Sequence, residues 1–351
     1  MTRAAGDSSA SAESGVISPP QAAVDGPVYI GGLDRSGKTT MHAFLTSHPN
    51  IYIPAVGSNM WTYFYGRYGD LGQAANLERC LDAMLRYKHV VFLQPDRARI
   101  EREFAEGPAT YARLFSLFLI HSAERDGKPR WGAQTGLIER YADRMFDAYP
   151  GLKIVHMIRD PRDRYQASIE KWPKGRGRAG GAVARWNYSR HLAERHHAAH
   201  PNDYMIVRFE DLVTDTEATV RTVCEFLGEP FREEMMEMVS APTHRTRIMG
   251  EEPGRVELSA DYIGRFRGAV PDAELAFIQA HAGAGMRRYG YEPVPVRMPL
   301  AGRMRYRIVD WPSQSSRGVA WSAVEAAQQR LPRLVPRRPG RRMIVEGESR
   351  G

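Results

Sequence analysis

Apolar and polar positions alternate here in blocks that read as strands and helices. Val28-Tyr29-Ile30 and Ile154 to Ile158 are continuous apolar runs of strand length, as strands covered on both faces require. A shorter strand is predicted near Tyr52. Between them, apolar residues recur at helical spacing. Met41, Phe44 and Leu45 mark one helix, and Leu77, Cys80, Leu81, Met84 and Leu85 mark another. A long helix is expected from about Thr110 to Glu124. Ile138, Tyr141, Met145 and Tyr149 mark the helix before the second long strand. Val220, Val223, Cys224 and Leu227 form a stripe closed by Gly228, which gives Cys224 a packing role. Strands alternating with helices predict an α/β fold, a parallel sheet flanked by helices through right-handed crossovers.

Some segments fall outside this rhythm. Residues 1–26 are rich in Ala, Ser, Gly and Pro and predict a disordered N-terminal segment. Lys174 to Gly181 reads as irregular, either a solvated linker or a basic flap over a substrate cleft, with the linker favoured. Asn59 to Tyr65 is dense in aromatics and suits either core or an acceptor pocket. Gly318 to Leu331 predicts a helix with Val319, Ala320, Ala323, Val324, Ala327 and Leu331 on one face.

Chemistry enters at the end of the first strand. Gly32 to Thr39 spells G-x-x-x-x-G-K-T, between a strand and a helix. Glycines let backbone N–H groups converge on an anion, the helix start adds unpaired donors, and Lys38 adds a cation. Phosphate binding follows, but not which phosphate compound. The second long strand narrows the choice. It runs into Arg159-Asp160-Pro161-Arg162-Asp163, where Pro161 suits the first turn of a new helix. Arg159 therefore stands at the carboxyl end of a strand, where open α/β sheets bind ligands.

This pairing resembles the sulfotransferases that use 3′-phosphoadenosine-5′-phosphosulfate (PAPS). Further segments are similar: Leu45-Thr46-Ser47-His48-Pro49, Tyr204 to Leu212 as a later strand with an acidic exit, and Ile263 to Gly268. The resemblance spans about residues 27–292. It implies a P-loop-like α/β domain over 27–296, preceded by the 1–26 segment and followed by a basic extension over 297–351. It implies that Arg35, Ser36, Gly37, Lys38, Thr39 and Thr40 hold the 5′-phosphosulfate, with Lys38 and Arg35 stabilising the transferring group. Arg159, Ser168 and Arg265 would hold the 3′-phosphate. The implied reaction moves a sulfuryl group to a hydroxyl, or as second choice an amine, of a small-molecule, sugar or lipid acceptor without a metal. Four positions depart from the family pattern. Lys38 stands where Thr is usual, and Ser168 lies one residue beyond the usual place, which is Ala167. Ala133-Gln134 replaces an acid and a lysine, and Ile53 to Ser58 lacks the Glu that is the base in some branches.

Two other readings stay open. The complete G-x-x-x-x-G-K-T pattern also suits a P-loop kinase or NTPase, with Asp96 or Asp160 as the acid toward Mg²⁺. The departures suit a non-catalytic cofactor-binding protein on the same fold. Composition adds little. The net charge of +8 lies wholly in residues 297–351, with 12 Arg against 4 acids, so no nucleic-acid partner is inferred. Arginines beside the 318–331 helix suggest weak peripheral contact with an anionic membrane, against the favoured expectation of a solvated or packed helix. His42, His121, His156, His196 and His197 have no metal-ligand spacing. Two cysteines and no signal-peptide run suit a cytoplasmic protein.

Overall fold

A computed structural model describes residues 26–55, 57–238, 258–331, 334–341 and 344–345. The N-terminal segment expected to be disordered lies, apart from Gly26, outside them. Strands β1 (Val28–Gly32), β2 (Ile51–Tyr52), β3 (Arg130–Gln134), β4 (Lys153–Ile158) and β5 (Tyr204–Arg208) form one parallel sheet in the order β2-β3-β1-β4-β5. Helices α1 (Lys38–Ser47), α2 (Ala74–Leu85), α3 (Tyr111–Arg125) and α4 (Ala142–Ala148) precede β4. Helices α5 (Pro161–Lys171) and α6 (Ala179–Ala199) join it to β5, and α7 (Thr216–Leu227), α8 (Asp272–Arg288) and α9 (Trp311–Arg330) follow.

The alternation of side chains along each strand sorts the core into two faces. Val28, Ile30, Val155 and Met157 pack with Met41, Phe44 and Leu45 of α1 and the α7 stripe that includes Cys224. Tyr29, Ala133 and Ile154 pack on the other face with α2, α3 and α4. Met41, Phe44 and Leu45 are each 0% exposed, which contributes roughly 1.5–3 kcal/mol apiece. A third cluster ties Ile158 and Tyr165 to Trp186 of α6 and to α8. Met60, Trp61 and Phe64 are buried, so the aromatic segment is mainly core, with Trp61 stacked on Tyr65 at 4.8 Å.

Two expectations need correction. Ala179, Gly180 and Gly181 are not loop but the first turn of α6. Gly180 is there for contact rather than flexibility: a Cβ on it would lie 1.8 Å from the Gln314 carbonyl oxygen of α9. Gln314 in turn accepts from Gly180 N at 2.9 Å and donates to the Gly177 carbonyl at 2.9 Å. The second correction concerns the helix expected from Gly318, which is already formed at Trp311 as α9; it packs on α6, as the favoured expectation had it, through Gln314, Gly318 and Glu325. Glu325 is buried because Arg140 and Arg337 both donate to it. The expected apolar stripe turns outward, with Val319 69%, Val324 52% and Leu331 49% exposed. The chain then returns to α2, where Val345 N bonds the Arg86 carbonyl at 2.7 Å.

Candidate functional site

β1 ends in a turn whose shape only glycine permits at two places. Gly32 has φ 102, and a Cβ there would sit 2.2 Å from the Met157 carbonyl oxygen. Gly37 has φ 92, and its Cβ would sit 2.4 Å from the Phe209 ring. Arg35, at φ 68, takes the same left-handed conformation without that exemption, a strain that such loops sustain at functional sites. Gly37 precedes α1 and offers no side chain to cap it. The first-turn N–H groups of α1 therefore stay available to an anion beside the loop.

Arg159 faces this loop from the end of β4. Its guanidinium is held by the Arg35 carbonyl at 3.2 Å and the Tyr262 carbonyl at 2.6 Å, over the Phe209 ring at 4.4 Å. Its Nε is buried without a partner among the described residues. Burial lowers its pKa, against the opposing pull of Asp163 and Glu210. Asp163, one turn along α5, accepts Gly264 N at 2.7 Å and Phe266 N at 2.9 Å, and so fixes the segment that carries Tyr262. Burial raises the Asp163 carboxyl, and those two N–H donors pull it back.

Together these groups bound a cleft of ≈ 630 Å³. Of the residues picked out by sequence, Arg35, Gly37, Lys38, Thr39, Thr40 and Arg159 line it. Lys38 pairs with Asp34 at 3.3 Å, and holds that carboxyl below its usual range. Three candidates are elsewhere. Ser36 is buried beneath the loop, its N donating to the Leu33 carbonyl at 3.3 Å. Ser168 donates to the Arg164 carbonyl at 2.9 Å and faces a neighbouring cavity, as the extra residue, about 100° of helix rotation, dictates. The Arg265 guanidinium is 4.0 Å from Glu170, over the Tyr262 ring at 5.2 Å, outside the cleft.

Asp96 and Asp160 are spent on structure. Asp96 caps a helix by accepting Arg99 N at 3.0 Å; Asp160 caps α5 and pairs with Arg162 at 2.6 Å. The histidines considered earlier are also engaged, His42 with the Ile53 carbonyl at 2.9 Å and His156 with the Tyr204 hydroxyl at 2.8 Å.

Sequence reasoning missed His89, which lines the same cleft as the loop. Its Nδ1 is 2.7 Å from the Gly57 carbonyl and 3.1 Å from the Tyr87 hydroxyl. A carbonyl only accepts, so Nδ1 carries the proton and Nε2 keeps its lone pair. Burial lowers the pKa of His89, which keeps the ring neutral, and neutral imidazole is a base. His89 sits on a helix of four residues, Lys88–Val91, with no motif around it. Gln134, in the place of the family's lysine, also lines the cleft and donates to the Ala55 carbonyl at 2.9 Å.

Comparison with known proteins finds relatives of this chain. The model of the sulfotransferase family matches residues 27–233. Protein-tyrosine sulfotransferase A of Caenorhabditis elegans is 22% identical over 283 residues, 76% of this chain and 67% of that protein. The sulfotransferase domain of the Synechococcus PCC 7002 olefin synthase shares the fold at a TM-score of 0.54 and 17% identity, covering 77% of this chain and 95% of that one. The sulfotransferase domain from the curacin biosynthetic pathway does so at 0.51 and 14%, covering 77% and 99%.

Proposed function

The chain belongs to the sulfotransferase family and is a sulfotransferase, and we propose that its donor is PAPS and its acceptor group a hydroxyl. The observation that carries the donor assignment is Arg159, a buried guanidinium whose Nε has no partner among the described residues and which is bonded to the loop that leads into an uncapped helix start. That arrangement suits a ligand with two separate phosphate groups. The loop and the first turn of α1 would take the 5′-phosphosulfate and Arg159 the 3′-phosphate. Arg159 offers the planar fork that phosphate prefers.

In this mechanism the acceptor oxygen attacks sulfur in line with the bridging oxygen. An O–S bond forms as the bridging S–O bond breaks, and the electron pair leaves on 3′,5′-ADP. His89 takes the acceptor's proton at Nε2. Lys38 meets the charge growing on the bridging oxygen, with Arg35 as the second candidate, an interaction strongest in the transition state. His89 also supplies a base where the Glu of some branches is missing, which counts against the non-catalytic reading. With Asp96 and Asp160 both engaged in structure, the kinase reading loses the acids it relied on.

We assign residues 27–296 to the catalytic unit and 297–351 to an extension. We place the protein in the cytoplasm, which suits its buried free cysteines, Cys80 and Cys224. No helix among the described residues is long and apolar enough to cross a membrane. The outward Val319 and Val324 with nearby arginines fit weak contact with anionic membrane. Val319→Glu/Val324→Glu should then end co-sedimentation with anionic liposomes at low salt. Turnover of labelled PAPS with a panel of phenols, sugars and lipids tests the central reading. Tight binding of ATP–Mg²⁺ with indifference to a 3′-phosphate would favour the kinase instead.

A further inference from the structure

A second cavity of ≈ 640 Å³ adjoins the phosphate-loop cleft, with Asp34 and Trp172 in the walls of both. It lies between α5, α6 and α9, and its most buried cation is Arg164, 5% exposed. The Arg164 side chain has no hydrogen bond or ion pair among the described residues, and its Nε is sealed from solvent. Burial pushes its pKa down to about 10, which leaves it charged at neutral pH. Lys174, Arg178, Arg185 and Arg317 surround it. The one acid in the lining among the described residues, Asp34, attracts Arg164 but is paired with Lys38 at 3.3 Å. A largely buried cation that shares its one nearby acid with Lys38 is costly, and four further cations around it raise that cost. An anion in the cavity would remove both penalties.

The walls say what carries the anion. Trp172 stands 51% exposed at the junction of the two spaces, and Trp321 of α9 faces Arg185 at 5.8 Å on the far side. Such a space takes an apolar or aromatic body with a charged end. α9 lies beyond residues 27–233, so this wall is built from outside the segment that the family model matches.

We propose that this cavity is the acceptor subsite and that it selects an acceptor bearing an oxyanion, a carboxylate, sulfate or phosphate, on the molecule whose hydroxyl is sulfurylated. The assignment rests on the sulfotransferase reading. The rival source of the same chemistry is the donor's own 3′-phosphate. Against it, Arg164 and Ser168 lie about one residue's rotation, roughly 100°, from the α5 face on which Asp163 holds the Tyr262 segment around Arg159.

The test is a tryptophan-fluorescence titration of the full chain with 4-hydroxyphenylacetate and its neutral amide, with and without saturating 3′,5′-ADP. The acid should bind at least about tenfold more tightly than the amide, the discrimination expected from one charge-assisted hydrogen bond. Arg164→Met should abolish the preference, leave 3′,5′-ADP affinity within about twofold, and raise Tm by removing an unpaired buried charge. Arg317→Ala, at the exposed rim, should weaken the preference without touching the interior. Equal binding of acid and amide, or binding of neither, would overturn the proposal. So would a loss of 3′,5′-ADP affinity in Arg164→Met matching its loss of acid affinity, which would give the cavity to the donor. Acid preference in a protein that binds no 3′,5′-ADP would uphold the anion site and refute the donor assignment.

Discussion

Replacing Arg159 by alanine should erase selectivity for a 3′-phosphate and should also loosen the fold. A guanidinium has five N–H donors. Two are spent, on the Arg35 carbonyl at 3.2 Å and the Tyr262 carbonyl at 2.6 Å, and Nε has no partner among the described residues. Three donors are therefore left for a ligand. If one or two of them reach a phosphate, the gain is roughly 1.5–3 kcal/mol, which is a ratio of about 10 to 150 in dissociation constants. The assay is calorimetry with 3′,5′-ADP and 5′-AMP, since their ratio isolates the 3′-phosphate. In Arg159→Ala that ratio should fall to near unity. Tm should fall as well, because two carbonyls lose a charged donor, at about 1–3 kcal/mol for each one left unsatisfied. Arg159→Lys should restore part of the affinity, because a point charge remains but the fork does not. A preserved ratio with a lowered Tm would refute the reasoning and leave Arg159 as a brace between the loop and Tyr262.

The other predictions address chemistry and assembly. Lys38→Met should lower kcat far more than it weakens 3′,5′-ADP binding; equal losses would make Lys38 a ground-state clamp. His89→Gln should lower kcat by about 10²–10⁴. Because burial lowers the pKa of His89, its base form persists through neutrality, and wild-type kcat/KM should decline only below the usual imidazole value of about 6.5. That acid limb should vanish in the variant, and rate–pH profiles of both proteins check it. Gly180→Ala should cost about 1–3 kcal/mol by overpacking against Gln314, more than the helix-propensity gain of roughly 1 kcal/mol. Thermal melts would show this, and a rise in acceptor KM without change in 3′,5′-ADP affinity would show that α9 shapes the acceptor side.

What sequence made legible was local. Gly32 and Gly37 are recognisable because a tight turn onto a helix needs glycine within a few residues. Arg159 is recognisable because a strand and Pro161 frame it. What escaped depended on distant segments. His89 comes from a single helical turn, and only the fold brings it into the cleft that Lys38 lines. Gly180 was misread because glycine serves helix contact as well as turns, and its partner Gln314 is 134 residues away. The stripe on α9 faces out because Glu325, polar by type, is drawn inward by Arg140. Arg164 reads as one more surface charge until α6 and α9 close over it.

The docking of α9 on α6 also has a consequence for the order in which the protein becomes functional during synthesis. The last strand ends at Arg208, and the Tyr262 carbonyl that braces Arg159 emerges soon after, so the nucleotide cleft can assemble while α9 is still unmade. The proposed acceptor wall arrives some fifty residues later. A chain clipped before Trp311 would keep its grip on the donor and lose its discrimination among acceptors. Limited proteolysis in the irregular stretch 291–299, ahead of the helical run that leads into α9, would thereby separate the two halves of the reaction, leaving a protein that sequesters donor nucleotide with no partner chosen for it.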